Sequence, residues 1–242
     1  MSSQLQPSSQ WLQLEDLGRM PYKGALQHQR KRHQEVLEAR AAGTPRGVLM
    51  LLEHDPPVVT VTSRPGVDGH VLAGEAQLAR LGIERVATDR GGDVTYHGPG
   101  QLVVYPILDL NFLGLRIHGY IRLLEQAAID TCAHFGVASM RDPEATGVWV
   151  DHTQASGGRK IGAIGVRVSR WATMHGLSLN VHPQMNHYEV LVPCGLHGRG
   201  VTSLKEELGG AQPTMSQVKE VMAQAFGRLL QDPEPFRDRR ER

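Results

Sequence analysis

Apolar positions along the chain follow two different periods, and the order in which these periods alternate predicts an α/β protein. Val48 to Leu52 is an unbroken apolar run of strand length, and Val58 to Thr62 is β-branched almost throughout. Glu53 to Pro57 between them predicts a turn. Before these, Trp11 to Leu14 reads as a short first strand, and Tyr22 to Ala42, charged and free of proline, as a helix ended by Gly43 and Pro45. After them come a short helix from Gly74 to Leu81, a strand from Ile83 to Thr88 and a largely apolar strand from Gln101 to Leu110.

In the second half, Ile117, Ile121, Leu124, Ala128, Cys132 and Phe135 recur at intervals of three or four, the spacing of a helix with one apolar face. Val148 to Val150 and Lys160 to Ser169 read as the arms of a hairpin with the polar stretch 151–159 as its tip. Ile164, Val166 and Val168 alternate with Gly165 and Arg167 in the second arm, as in a half-buried strand. Trp171 to Val181 reads as a further strand. Thr214 and Gln217 have capping-box spacing, and Val218, Val221, Met222, Ala225 and Leu229 mark the core face of a last helix. No repeat, linker or change of composition interrupts the chain. A single domain over residues 1–231 is expected, with a disordered, proline-broken tail at 232–242.

Composition narrows the function classes. The 242 residues carry a formal charge of +1, which offers nothing to draw nucleic acid or an anionic membrane. No apolar run approaches the roughly 20 residues of a membrane span, and the first ten residues lack the basic and apolar regions of a signal peptide. A cytoplasmic setting is expected. The two cysteines are far apart and form no disulfide framework. The twelve histidines show no metal-ligand spacing, so no metal is expected. Gly157 to Lys160 lacks the spacing and hydroxyl residue of a P-loop. Gly98-Pro-Gly100 lacks the third glycine of a dinucleotide fingerprint, so no cofactor is expected either.

The chemistry concentrates in three segments. Arg90 to Gln101 holds four glycines, a proline, an arginine and a histidine, in which bare backbone can approach a ligand, although a plain glycine-proline loop has the same composition. Cys194 stands between Pro193 and Gly195, a setting that suits an exposed nucleophilic thiol as well as a buried structural one. Lys160 heads a predicted strand and is followed by small residues. It reads either as the proton partner of a thiol or as a solvated strand end. Cys132, on an apolar helix face, reads as a small buried hydrophobe. His175 is a further site candidate, and His197 lies close enough to Cys194 to act as the base of a cysteine hydrolase.

Arg90 to Gln101, Gly147-Val-Trp149, Lys160 to Gly165, His175 to Asn180, Pro193-Cys-Gly195 and Val201 to Leu204, in this order, resemble the LipB family of octanoyl-[acyl-carrier-protein]:protein octanoyltransferases. The resemblance runs from about Trp11 to Leu229. It implies the biotin/lipoate protein ligase fold, with mixed β-sheets flanked by helices around an acyl-binding tunnel. It implies that Cys194 takes the octanoyl group from octanoyl-acyl carrier protein as a thioester. Lys160 is then expected to lower the thiol pKa and accept a proton from the incoming amine. The acceptors would be lysines of apo lipoyl domains, as in 2-oxoacid dehydrogenase E2 subunits and glycine cleavage H protein. Arg90, Gly91, Gly92, Asp93, Val94, Thr95, Tyr96 and His97, with Ala163, Ile164 and Gly165 and with Gly176, Leu177 and Ser178, match the family's substrate-binding segments. Gly162, Ala163 and Gly165 are expected to leave room for a straight aliphatic chain. Two stretches depart from the family pattern: the tip 151–159 is longer and more polar, and the tail after Asp232 has no counterpart.

Three other readings compete. An ATP-dependent lipoate or biotin ligase shares the fold and needs no Cys194. A cysteine acyl hydrolase would use Cys194 with His197 or His175. A non-catalytic binder of acyl carrier protein would never acquire acyl mass.

Overall fold

The computed structural model describes residues 10–151, 157–192, 199–209 and 212–237. In chain order the elements are β1 (Leu12–Met20), α1 (Tyr22–Ala41), β2 (Gly47–His54), β3 (Val58–Thr62), α2 (Glu75–Arg80), β4 (Glu84–Thr88), β5 (Thr95–His97) and β6 (Gln101–Ile107). They continue with α3 (Leu110–Leu113), α4 (Ile117–His134), β7 (Met140–Arg141), β8 (Val148–Val150), β9 (Arg159–Ser169), β10 (Ala172–Asn180), β11 (Gly200–Val201), α5 (Leu204–Glu207) and α6 (Met215–Gln231).

The large sheet runs β1-β2-β6-β10-β9-β8-β7, mostly antiparallel, with β1 parallel to β2 and β11 parallel to β9. Its central strands are apolar on both sides because both faces are covered. Leu49 and Leu51 of β2 and Leu102 and Val104 of β6 meet Tyr120, Leu123 and Leu124 of α4 and Met222 and Phe226 of α6. Their alternating neighbours Val48, Met50, Leu52, Val103 and Ile107 face the other way, with Ala25 and Val36 of α1. A small mixed sheet, β4-β3-β5, closes a second core of Val59, Val61, Leu78, Val94 and Tyr96. The whole is one α/β domain with mixed sheets.

Several boundaries differ from those read in the sequence. β1 runs on to Met20, because an edge strand pairs on one side and its solvent-facing positions can be polar. Arg170 and Trp171 both have positive φ, 52° and 61°, and form a two-residue turn between β9 and β10. The strand therefore starts at Ala172, and no glycine or asparagine announced the turn. The apolar strand from Gln101 ends at Ile107. There Asp109 caps the short α3 by accepting the Asn111 N–H at 2.9 Å. On α6, Phe226 and Leu230 are buried while Val221 and Leu229 are only half-buried, so its core face is turned slightly from the predicted one. Disorder was expected from residue 232, yet Glu234–Phe236 forms a 3-10 turn against α4. Arg237 Nε there donates to the Leu113 carbonyl at 3.1 Å.

Candidate active site

β9 and β10 build one wall of a cleft. Their antiparallel register sets Ala163 opposite Ser178, Ile164 opposite Leu177 and Gly165 opposite Gly176. The glycine-rich segment between β4 and β6 builds the other wall, tied to β9 by the Gly91 N–H donating to the Val166 carbonyl at 2.8 Å. Between them lies a cleft. It is lined by Arg90, Gly92, Asp93, Val94, Thr95, His97, Ala163, Ile164, Gly165, Gly176, Leu177 and Ser178, and additionally by Tyr22, Tyr105 and His175. Gly91 and Tyr96 are not on its surface. Gly91 makes the strand contact just described, and the buried Tyr96 bonds its hydroxyl to His187 Nδ1 at 2.9 Å inside the small core.

The glycines serve close approach more than open space. A Cβ on Gly165 would sit 3.0 Å from both Arg90 Cδ and the Gly91 carbonyl oxygen, and one on Gly176 only 2.3 Å from the Val104 carbonyl oxygen. Arg90 lies along the wall with its Nη2 bonded to Thr60 Oγ1 at 2.9 Å. Asp93 is buried and bonded to His70 Nδ1 at 2.8 Å.

Two imidazoles, His97 and His175, line the cleft beside the charged Arg90. Burial, together with the neighbouring His54, lowers the pKa of His97 far below that of an ordinary imidazole. Its Nδ1–H donates to Gln101 Oε1 at 2.6 Å. His175 is also held down by burial, only partly offset by its hydrogen bond to Asp89. For Asp89 burial raises the carboxyl, but the hydrogen bond from His175 and the charge of Arg167 outweigh it and the net shift is downward. His175 Nε2–H therefore donates to a carboxylate, at 2.9 Å. His175 also has a φ of 58°, and its backbone N–H donates to Gln29 Oε1 of α1 at 2.7 Å. A histidine in the left-handed region, pinned at ring and backbone, marks a position the fold constrains tightly. Nothing in the sequence pattern pointed to Tyr22, Tyr105 or Asp89.

Lys160 lies where β10 has ended and β11 takes its place beside β9. Leu179 is the last β10 residue paired, with Gly162, and Val201 then pairs with Lys160. The lysine is 6% exposed, which excludes a solvated strand end. Its Nζ donates to the Thr146 carbonyl at 3.2 Å and stands 4.6 Å from the centre of the Trp149 ring. A smaller pocket of about 300 Å³ reaches it, and Thr95, Ala163 and Ser178 line both this pocket and the cleft. Cys194, Pro193, Gly195 and His197 lie outside the described residues. Val192 and Arg199 on either side are described, and the Val192 N–H is held by the His70 carbonyl at 2.8 Å. Cys132 is buried on α4, where burial pushes its thiol up to about 12. His118 and His134 are exposed on α4. Among the described residues no cluster could hold a metal, and no helix is long and apolar enough to cross a membrane.

The profile of the lipoyl protein ligase A/B catalytic domain matches residues 27–227. The octanoyltransferase of Solibacter usitatus is 44% identical over 220 residues, spanning 90% of this chain and 92% of that one. The chain belongs to the octanoyltransferases of the lipoyl protein ligase A/B family. A second octanoyltransferase, from Myxococcus xanthus, is 43% identical over 212 residues and 87% of this chain, which covers 57% of that longer protein. Among solved structures, a bipartite lipoate protein ligase from Thermoplasma acidophilum superposes with a TM-score of 0.67. That likeness covers 91% of this octanoyltransferase and 84% of the ligase at 15% identity, and it shows a shared fold.

Proposed function

We propose that this octanoyltransferase carries the octanoyl group from octanoyl-acyl carrier protein to a lysine ε-amino group of apo lipoyl domains, through a thioester on Cys194. The acceptors are those of 2-oxoacid dehydrogenase E2 subunits and glycine cleavage H protein, and the setting is the cytoplasm. The observation that carries the reading is the placement of Lys160. It is a buried amine at the junction of two strands, in a pocket that shares lining residues with the cleft, and paired with Val201 of the segment that follows Cys194.

The chemistry balances without ATP, because a thioester is already activated. The Cys194 thiolate, its proton held by Lys160, attacks the thioester carbonyl. The carbon–sulfur bond to the carrier breaks, and the departing thiolate takes the Lys160 proton. The neutral ε-amine of the acceptor then attacks the enzyme thioester and gives its extra proton to Lys160. The amide forms, the Cys194–carbon bond breaks, and the thiolate–ammonium pair is restored. Arg90, Gly92 to Thr95 and His97, with Ala163 to Gly165 and Gly176 to Ser178, hold the aliphatic chain, and the neutral imidazoles of His97 and His175 keep that part of the cleft compatible with it.

Intact mass spectrometry tests the reading. Wild type incubated with octanoyl-acyl carrier protein and no ATP gains one octanoyl increment, Cys194→Ser gains none, and added apo lipoyl domain takes the increment over. Modification of the domain only from free acid and ATP would instead make the protein a ligase.

A further inference from the structure

We infer that Glu125 is a positioning residue for Lys160, acting through the Thr146–Gly147 peptide. The inference rests on the proton role proposed for Lys160.

Glu125 stands in the middle of α4, 1% exposed, and a carboxylate placed so deep in a core is costly unless its oxygens are engaged. Oε2 accepts from Arg122 Nη1 at 2.8 Å, one turn back on the helix, and lies 3.2 Å from Arg141 Nε without the alignment of a hydrogen bond. Oε1 faces the other way and accepts the backbone N–H of Gly147 at 3.2 Å. That N–H belongs to the same planar unit as the Thr146 carbonyl, an acceptor of Lys160 Nζ. In a trans peptide the N–H and C=O point in opposite directions. The carboxylate and the ammonium are therefore held at opposite ends of one peptide dipole. The negative group faces its positive end and the positive group its negative end, and each hydrogen bond polarises the other in the same sense.

The peptide has little freedom apart from this bond. Gly147 has a φ of 133°, and a Cβ there would lie 2.7 Å from the Gly162 carbonyl oxygen and 3.2 Å from Lys160 Cε. A bare backbone is thus pressed against the lysine, and Glu125 sets which way its carbonyl points. Lys160 has to hold and release a proton in each turnover from one fixed place. A carbonyl aimed by Glu125 fixes that place.

Glu125→Gln keeps an oxygen to accept the Gly147 N–H but removes the charge. Glu125→Asp keeps the charge beside the arginines and draws the carboxylate back from Gly147. Each is compared with wild type by thermal melting and by the pH profile of single-turnover transfer from the octanoyl enzyme to a lipoyl domain, alone and in a Lys160→Ala background. Both variants are expected to fold, to transfer about tenfold or more slowly, and to move the pH profile. In Lys160→Ala, whose residual rate is already low, Glu125→Gln is expected to change it less than about twofold. A folded Glu125→Gln with wild-type rate and profile, beside an inactive Lys160→Ala, would overturn the inference alone. So would an equal further loss in both backgrounds, which marks a purely structural residue. Wild-type transfer by Lys160→Ala would remove the reading of Lys160 and the inference together.

Discussion

Gly176 and Gly165 show how single residues shape the cleft wall. The missing Cβ at 176 makes room for the backbone of β6, and the one at 165 for the loop bearing Arg90. The van der Waals conflict at 176 is with a carbonyl oxygen that the ladder holds in place, so it cannot be relieved by rotating a side chain. Gly176→Ala is expected to destabilise the protein by about 2 kcal/mol or more, read as a lower urea midpoint. Gly165→Ala meets longer contacts, with an arginine side chain that can yield and with the Gly91 carbonyl oxygen. It is expected to leave the midpoint closer to wild type and to slow acylation by octanoyl-acyl carrier protein in a stopped-flow or quenched assay. The small size of these residues was legible in the sequence. What each one makes room for was not, because the neighbour comes from a strand or loop some 70 positions away in the chain.

Elements behave as their local signals direct, except where a partner decides. The capping box of α6 is complete: Gln217 N–H bonds to Thr214 Oγ1 at 3.3 Å, and Thr214 N–H to Gln217 Oε1 at 2.8 Å. Thr214→Ala should cost about 1 kcal/mol, measured by chemical denaturation, with little change in transfer rate because Thr214 lines neither the cleft nor the pocket at Lys160. The same helix shows where periodicity falls short. Val221 and Leu229 fit an apolar stripe as well as Phe226 and Leu230 do, and only packing against α4 turns the latter pair inward. In the stretch of β1 beyond its apolar pattern, Asp16 is met from α6 by Lys219 Nζ at 2.5 Å. A charge that reads as a strand end is tolerated once a distant amine meets it.

Across the whole molecule, buried imidazoles link stability to pH. His54 is buried at the heart of the α1 side of the sheet. Its Nδ1–H donates to the Met20 carbonyl at 3.2 Å, and Nε2 accepts from the Tyr105 hydroxyl at 2.7 Å. Burial lowers its pKa to about 4, only partly opposed by the bond to Met20. The folded state thus binds a proton here less readily than the unfolded chain, whose imidazole titrates near 6.5. The contribution of His54 is complete above that value and is lost as pH falls toward about 4, on the order of 3 kcal/mol. Urea midpoints taken across that range should fall steeply for wild type and less steeply for His54→Gln, and equal slopes would count against it.

The α/β character, most element positions and the segments proposed to carry the chemistry were legible in the chain alone. Period, turn residues and motif spacing are local properties, and Arg90 to His97, Lys160 and the small residues of β9 and β10 announce themselves locally. The fold decided what depends on residues distant in sequence. It placed Lys160 at the end of β10 against Val201, and it turned Gly91 and Tyr96 away from the cleft while bringing Tyr22, Tyr105 and His175 onto its surface. It also set Glu125 behind the peptide that holds Lys160. A buried carboxylate reads in sequence as one more polar position on a helix. Only the packing of α4 against the β7–β8 connection gives it a partner, because the energy of such a group depends on what surrounds it and not on its neighbours along the chain.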